Sequence, residues 1–139
     1  MIERGMRILI LCLVFTFIVG CMTMSDVVKS KQDGMTNAYS VSADQAWEIA
    51  KTIFHWGSAD AVEEHRKENY LAASSGANVM VAWIEPLEKK TVRVTVVSKR
   101  RFPANPMSDL TERDFQNYFA QAVEMVNAGK PLPSSPPKK

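Results

Sequence analysis

Between Thr91 and Ser98 the chain alternates, with Val92, Val94 and Val96 on one side and Thr91, Arg93 and Thr95 on the other. Successive side chains of an extended strand point to opposite faces, so this run predicts a strand with one apolar and one polar face. A single strand cannot bury its valines; it needs neighbours and a second layer. Two apolar stripes of helical period supply that layer. Ala46, Ile49, Ala50, Ile53 and Phe54 form the first, extended by Trp47 and Trp56. Phe115, Tyr118, Phe119, Ala122, Val123 and Val126 form the second. Ser42 followed by Gln45 has the form of a capping box, which predicts a helix from there to about Trp56, ended by Gly57 in a left-handed conformation. The second helix is expected to begin near Leu110–Thr111, with Asp114 close to the positive end of the helix dipole and Gly129 closing it.

The remaining segments complete a sheet. Ala38–Val41 is a short strand candidate. Ala61–Glu68 is polar on both faces, as suits an exposed edge, and Tyr70–Ala73 returns along it after a turn at Asn69. Val79–Ile84 is apolar on both faces and is therefore expected to be central and covered on at least one side. Pro86 should end that ladder, and Lys89–Lys90 should turn into the Thr91 strand. Arg101–Met107 holds Pro103 and Pro106 and reads as a loop. The order strand, helix, strands, helix gives an α+β class two-layer sandwich. Its antiparallel sheet has four or five strands, with two helices packed on one face.

Ahead of this domain Arg4 and Arg7 outweigh Glu3, and Ile8–Val19 is uncharged and apolar. That is the layout of a signal peptide. The run is shorter than the roughly twenty residues needed to span a bilayer. Ile18-Val19-Gly20-Cys21 then resembles the bacterial lipobox. The resemblance implies cleavage between Gly20 and Cys21, diacylglycerol on the Cys21 thiol, and further acylation of the new amino group. Two or more acyl chains make such anchoring stable. Cys12 leaves with residues 1–20, so the mature chain keeps one cysteine, already alkylated, and no disulfide is possible. Met22 stands where an aspartate would signal inner-membrane retention, which favours the periplasmic face of the outer membrane in a Gram-negative source. The expected organisation is signal peptide 1–20, tether 21–37, α+β domain 38–128 and a Pro-rich disordered tail 129–139.

The lipobox, the short tether, the strand Ala38-Tyr39-Ser40-Val41 before the Ala46-Trp47 helix, and Thr91-Val92-Arg93-Val94-Thr95-Val96 before a Phe-containing helix together resemble a family of small bacterial lipoproteins. That family is known only as a domain of unknown function. The resemblance runs from Ala38 to Val126 and implies a fold and a location, with no activity.

Chemistry is harder to find. The formal charge of +2 falls to about +1 once residues 1–20 are removed, which gives no argument for nucleic acid. His55 ends the first helix. Glu63, His65 and Lys67 share a strand face, which allows a weak metal site but is better read as a solvated edge. Ser74-Ser75-Gly76 reads as a turn, and Asp44, Asp60, Asp109 and Asp114 as caps or turn residues. No catalytic residue, metal ligand or cofactor is assigned. Lys99-Arg100-Arg101 is the one compact basic cluster, suited to anionic headgroups or an acidic partner. Trp83 is the other residue of interest. If the helices cover one face, either Trp83 or Met80 and Ile84 lie on the open one, as a partner surface or beneath a folded-back tether or tail. The expectation is a membrane-anchored, non-enzymatic envelope lipoprotein that binds another protein or supports an assembly. The alternative is a small-ligand or lipid-binding domain that uses the space between sheet and helices.

Overall fold

The computed structural model describes residues 23–57, 59, 61–76, 78–101 and 110–137. Gly20, Cys21, the apolar run before them, and the loop with Pro103 and Pro106 lie outside these residues. The elements in chain order are α1 (Met24–Val28), a 3-10 turn (Lys31–Asp33), β1 (Met35–Tyr39), α2 (Ala43–Trp56) and β2 (Ala61–His65). A second 3-10 turn (Arg66–Glu68), β3 (Tyr70–Ser74), β4 (Asn78–Glu88), β5 (Thr91–Arg100) and α3 (Glu112–Asn127) follow. The strands form one sheet in the order β1-β5-β4-β3-β2, with every neighbouring pair antiparallel.

The register explains the core. Ala82 lies opposite Val96 and Ile84 opposite Val94, so Met80, Ala82 and Ile84 share a face with Val92, Val94 and Val96. Leu71 and Ala73 of β3 extend that face, and α2 and α3 cover it with Ile49, Ile53, Phe54, Phe115 and Phe119, all buried. The Phe115 ring lies between those of Phe54 and Phe119, tilted to each, with ring centres 5.4 and 5.9 Å away. Side chains of this size each contribute about 1.5–3 kcal/mol when fully buried. The two-layer α+β sandwich expected from the periodicities is the observed fold.

Both helix starts follow from their sequences. Ser42 Oγ accepts from the Gln45 amide at 3.2 Å, and the Gln45 side chain returns to the Ser42 amide at 3.3 Å. Thr111 Oγ1 accepts from the Asp114 amide at 3.1 Å. The end of α2 differs from expectation. Gly57 has φ −79, so it is not left-handed; a Cβ there would stand 3.2 Å from Leu110 Cδ2. The glycine serves a close approach of chains rather than a positive φ.

β2 is shorter than expected, because the chain leaves the sheet in the Arg66–Glu68 turn and Asn69 takes a left-handed conformation at φ 59. β4 is longer, and Pro86 does not end it; Pro86 pairs with Val92, with an irregularity before Glu88. The reason lies in which neighbour each residue addresses. The Ile84 amide donates to Asn69 O at 2.8 Å, so Ile84 points toward β3, and by alternation Pro86 does too. β3 begins at Tyr70, so no strand waits there for the N–H that proline lacks.

The segments expected to be loose at each end are engaged in part. Residues 24–37 of the expected tether form α1, the first 3-10 turn and β1. At the other end, Trp56 Nε1 donates to Pro133 O at 3.1 Å and Leu132 packs against the main core. The packed structure therefore includes residues ahead of Ala38, back to at least Thr23. The reason is the second face of the sheet. Ala72, Val79, Val81, Trp83 and Val97 point away from α2 and α3, and Val27 of α1, fully buried, closes over them.

Candidate functional site

The sequence offered Trp83 and Lys99-Arg100-Arg101 as a possible interaction surface and left open which face of the sheet Trp83 takes. Trp83 is on the outer face, as one of the two arrangements required, but it is not a docking surface in the open. It is 5 % exposed, covered by the α1 segment. Lys31, two residues past the end of that segment's helix-capping Lys29, places its ammonium 5.7 Å from the centre of the Trp83 ring. Tyr70 flanks Trp83 at 6.3 Å, and His65 stacks on Tyr70 at 4.5 Å with rings 20° apart.

Beside Trp83 a shallow groove opens, lined by Lys31, Gln32, Gly34, Thr36, Glu85, Arg93 and Thr95, with about 470 Å³ of space. Glu85 is its pivot. Lys31 Nζ is 2.6 Å from Glu85 Oε1 and Arg93 Nη2 is 3.2 Å from Glu85 Oε2. The hydrogen bond from Lys31, helped by that from Arg93 and opposed by partial burial, holds the Glu85 carboxyl below its usual range. Thr36 and Thr95 hydroxyls bond each other across the strands at 2.9 Å. Gly34 lets the chain pass over β5, since a Cβ there would lie 2.8 Å from Val96 O. The groove is polar and open; it carries a carboxylate already neutralised by two cations, not a nucleophile poised beside a base.

The basic cluster is divided by strand alternation. Lys99 pairs with Val79 on the outer face, and Arg100 with Asn78 on the helix side; Lys99 is 3.9 Å from Asp33 Oδ2. Arg101 follows the end of β5. Lys99 and Arg100 thus lie on opposite faces of the sheet. Glu63 and His65 do share the outer face, 3.3 Å apart, while Lys67 has left the strand in the 3-10 turn. Among the described residues no group of three or more His, Cys, Asp or Glu side chains is placed to hold a metal ion. No helix among them is long and apolar enough to cross a membrane.

Three polar residues that the sequence left unremarked organise the inner face. Gln116, 3 % exposed, donates through Nε2 to Met35 O at 2.9 Å and Val94 O at 3.0 Å and accepts from Tyr39 OH at 2.5 Å. Asn78, also 3 % exposed, donates to Leu110 O at 3.0 Å and Ser98 Oγ at 3.2 Å. Its Oδ1 has no partner among the described residues, and Asn78 is one of the residues that line a cavity of about 10 Å³ between the layers, the space of one water. Glu64, on the strand expected to be an exposed edge, accepts from Trp47 Nε1 at 2.6 Å. That bond, followed by the nearby charges of Lys51 and Arg66, draws its carboxyl below the usual range. Arg66 lies 4.7 Å over the Trp47 ring. Glu64 shares a face with Val62, two residues earlier, and so points inward, the charged device that protects edge strands.

Comparison with protein-family models, with curated proteins and with solved structures finds no match to this chain.

Proposed function

We propose that the chain is a lipoprotein of the bacterial cell envelope, anchored by acyl chains on Cys21 after loss of residues 1–20, and that its α+β domain is a non-enzymatic module that binds another envelope protein. The observation that carries the reading is Ile18-Val19-Gly20-Cys21 directly after the uncharged run Ile8–Val19. The interior geometry supports the second half. A small-ligand domain needs room between sheet and helices, on the order of 300 Å³ for a pocket of drug-like size. The cavity found between the layers, lined by Phe54, Asn78, Met80 and Leu110 among others, is about 10 Å³. The protein-binding reading is therefore the better supported of the two.

The surface on offer includes β1, the outermost strand at one side of the sheet, whose residues Met35 to Ala38 are all exposed. Edge strands offer a row of backbone donors and acceptors to an added strand. A photo-crosslinking residue at Asn37, used in living cells and read by mass spectrometry, tests the module reading. A reproducible protein adduct at Asn37, absent when the same residue is placed at Gln121 on α3, supports it. Recovery of the protein only as a free monomer from both positions contradicts it.

A further inference from the structure

We infer that the domain does not stand off from the membrane: α1 and the outer face of the sheet rest against the headgroups of the bilayer that holds the lipid on Cys21. The inference rests on the lipoprotein reading and adds to it which side of the fold meets the lipid surface.

The short reach of the chain ahead of α1 sets this placement. Thr23 is already part of the fold. Its hydroxyl accepts from the Asp26 amide at 3.3 Å, and Asp26 returns a carboxylate oxygen to the Thr23 amide at 3.2 Å, which closes a capping box. Two peptide units separate Cys21 from Thr23, and they reach no further than about 7 Å in any conformation. The polar layer of one leaflet is itself on the order of 5–8 Å deep. A helix rises about 1.5 Å per residue, so the Val27 Cα is held within roughly 13 Å of the Cys21 Cα. Val27 is the residue sealed against Val79, Val81, Trp83 and Val97. The outer face is thus fixed to the lipid by a link about as long as the helix is wide.

The character of α1 agrees with this placement. Met24, Val27 and Val28 turn toward the sheet, while Ser25, Asp26 and Lys29 are exposed. The exposed side is polar and suits a position among headgroups rather than within the hydrocarbon. The α2–α3 layer lies on the opposite side of the sheet and is the side presented to the aqueous compartment. A partner would approach along the edge at β1.

The test uses the lipidated mature protein in vesicles of phosphatidylethanolamine and phosphatidylglycerol that carry a headgroup nitroxide lipid. Cys21 is alkylated, so Ser25→Cys and Gln121→Cys each give a single reactive thiol for a fluorophore, both at exposed positions. The expected result is several-fold stronger quenching at position 25 than at 121. Insertion of a flexible Gly/Ser spacer of about twenty residues between Met22 and Thr23 should abolish the difference, since such a chain spans roughly 25 Å on average. Equal, weak quenching at both positions in protein that still floats with the vesicles overturns the inference and leaves the anchor standing. Protein that fails to float and carries an unmodified Cys21 overturns the anchor reading and this inference with it.

Discussion

The ammonium of Lys31 lies over the ring of Trp83, 5.7 Å from its centre, and the same nitrogen is 2.6 Å from Glu85 Oε1. A cation over an indole contributes about 0.5–1 kcal/mol at an exposed site. The contact matters more for what it joins. It ties the segment that precedes the first strand to the central strand of the sheet, and converts an expected tether into a cover.

Val27 is the anchor of that cover. In a chain that starts at residue 21 and carries Cys21→Ser, Val27→Ala should lower the unfolding free energy by about 2 kcal/mol, through lost methyl burial and the cavity left behind. Urea unfolding followed by circular dichroism measures it. A tether residue changed in the same way would shift stability by less than about 0.5 kcal/mol, and that outcome would contradict the packing of α1.

Gln116 should be more sensitive than its polar character suggests. Its amide serves Met35 O, Val94 O and Tyr39 OH together, and so joins α3 to β1 and β5. Gln116→Leu leaves two carbonyls and a hydroxyl without it, at roughly 2–3 kcal/mol. Gln121→Leu, on the exposed side of α3, is the control and should be near neutral. Equal effects at the two positions would show that the network carries no weight.

Acid should weaken the fold through three carboxylates. Glu85, bonded first by Lys31, Glu64, bonded first by Trp47, and Asp26, bonded first by the Thr23 hydroxyl, all titrate lower in the folded chain than unfolded. Their contribution is complete above the ordinary carboxylate values, 4.5 for the glutamates, and is lost as the pH falls through the depressed folded values. Stability should therefore be flat just above pH 4.5 and decline below it, and Glu85→Gln should make the decline shallower. An unchanged acid limb in that variant would mean the Lys31–Glu85–Arg93 cluster does not act on the folded state. High salt should reduce the effect, because these pairs sit near the surface.

What the sequence made legible is what local chemistry repeats. Val92, Val94 and Val96 are three turns of one period, and the Ser42–Gln45 box and Thr111 mark helix starts with their own side chains. α1 was not legible because five residues make little more than one helical turn, too few for a 3.6-residue period to stand out. Its helix depends on Thr23 and on burial against a face assembled from strands some fifty to seventy positions later. Pro86 misled because its tolerance depends on where β3 begins, a fact of register rather than of composition. Lys99 and Arg100 are contiguous in sequence yet divided in space, since neighbours in a strand belong to opposite faces. Gln116 and Asn78 look like surface residues until the partners they bond, more than twenty positions away in most cases, are brought to them.

The central claim is that this domain begins at a lipidated cysteine. Mass analysis of the N-terminal peptide, from protein extracted from the envelope with detergent, tests it most directly. The account predicts a peptide that starts at Cys21, lacks residues 1–20 and is heavier by diacylglycerol and further acyl groups, all abolished by Cys21→Ser. A peptide that begins at Met1, or a Cys21 with a free thiol, would contradict it.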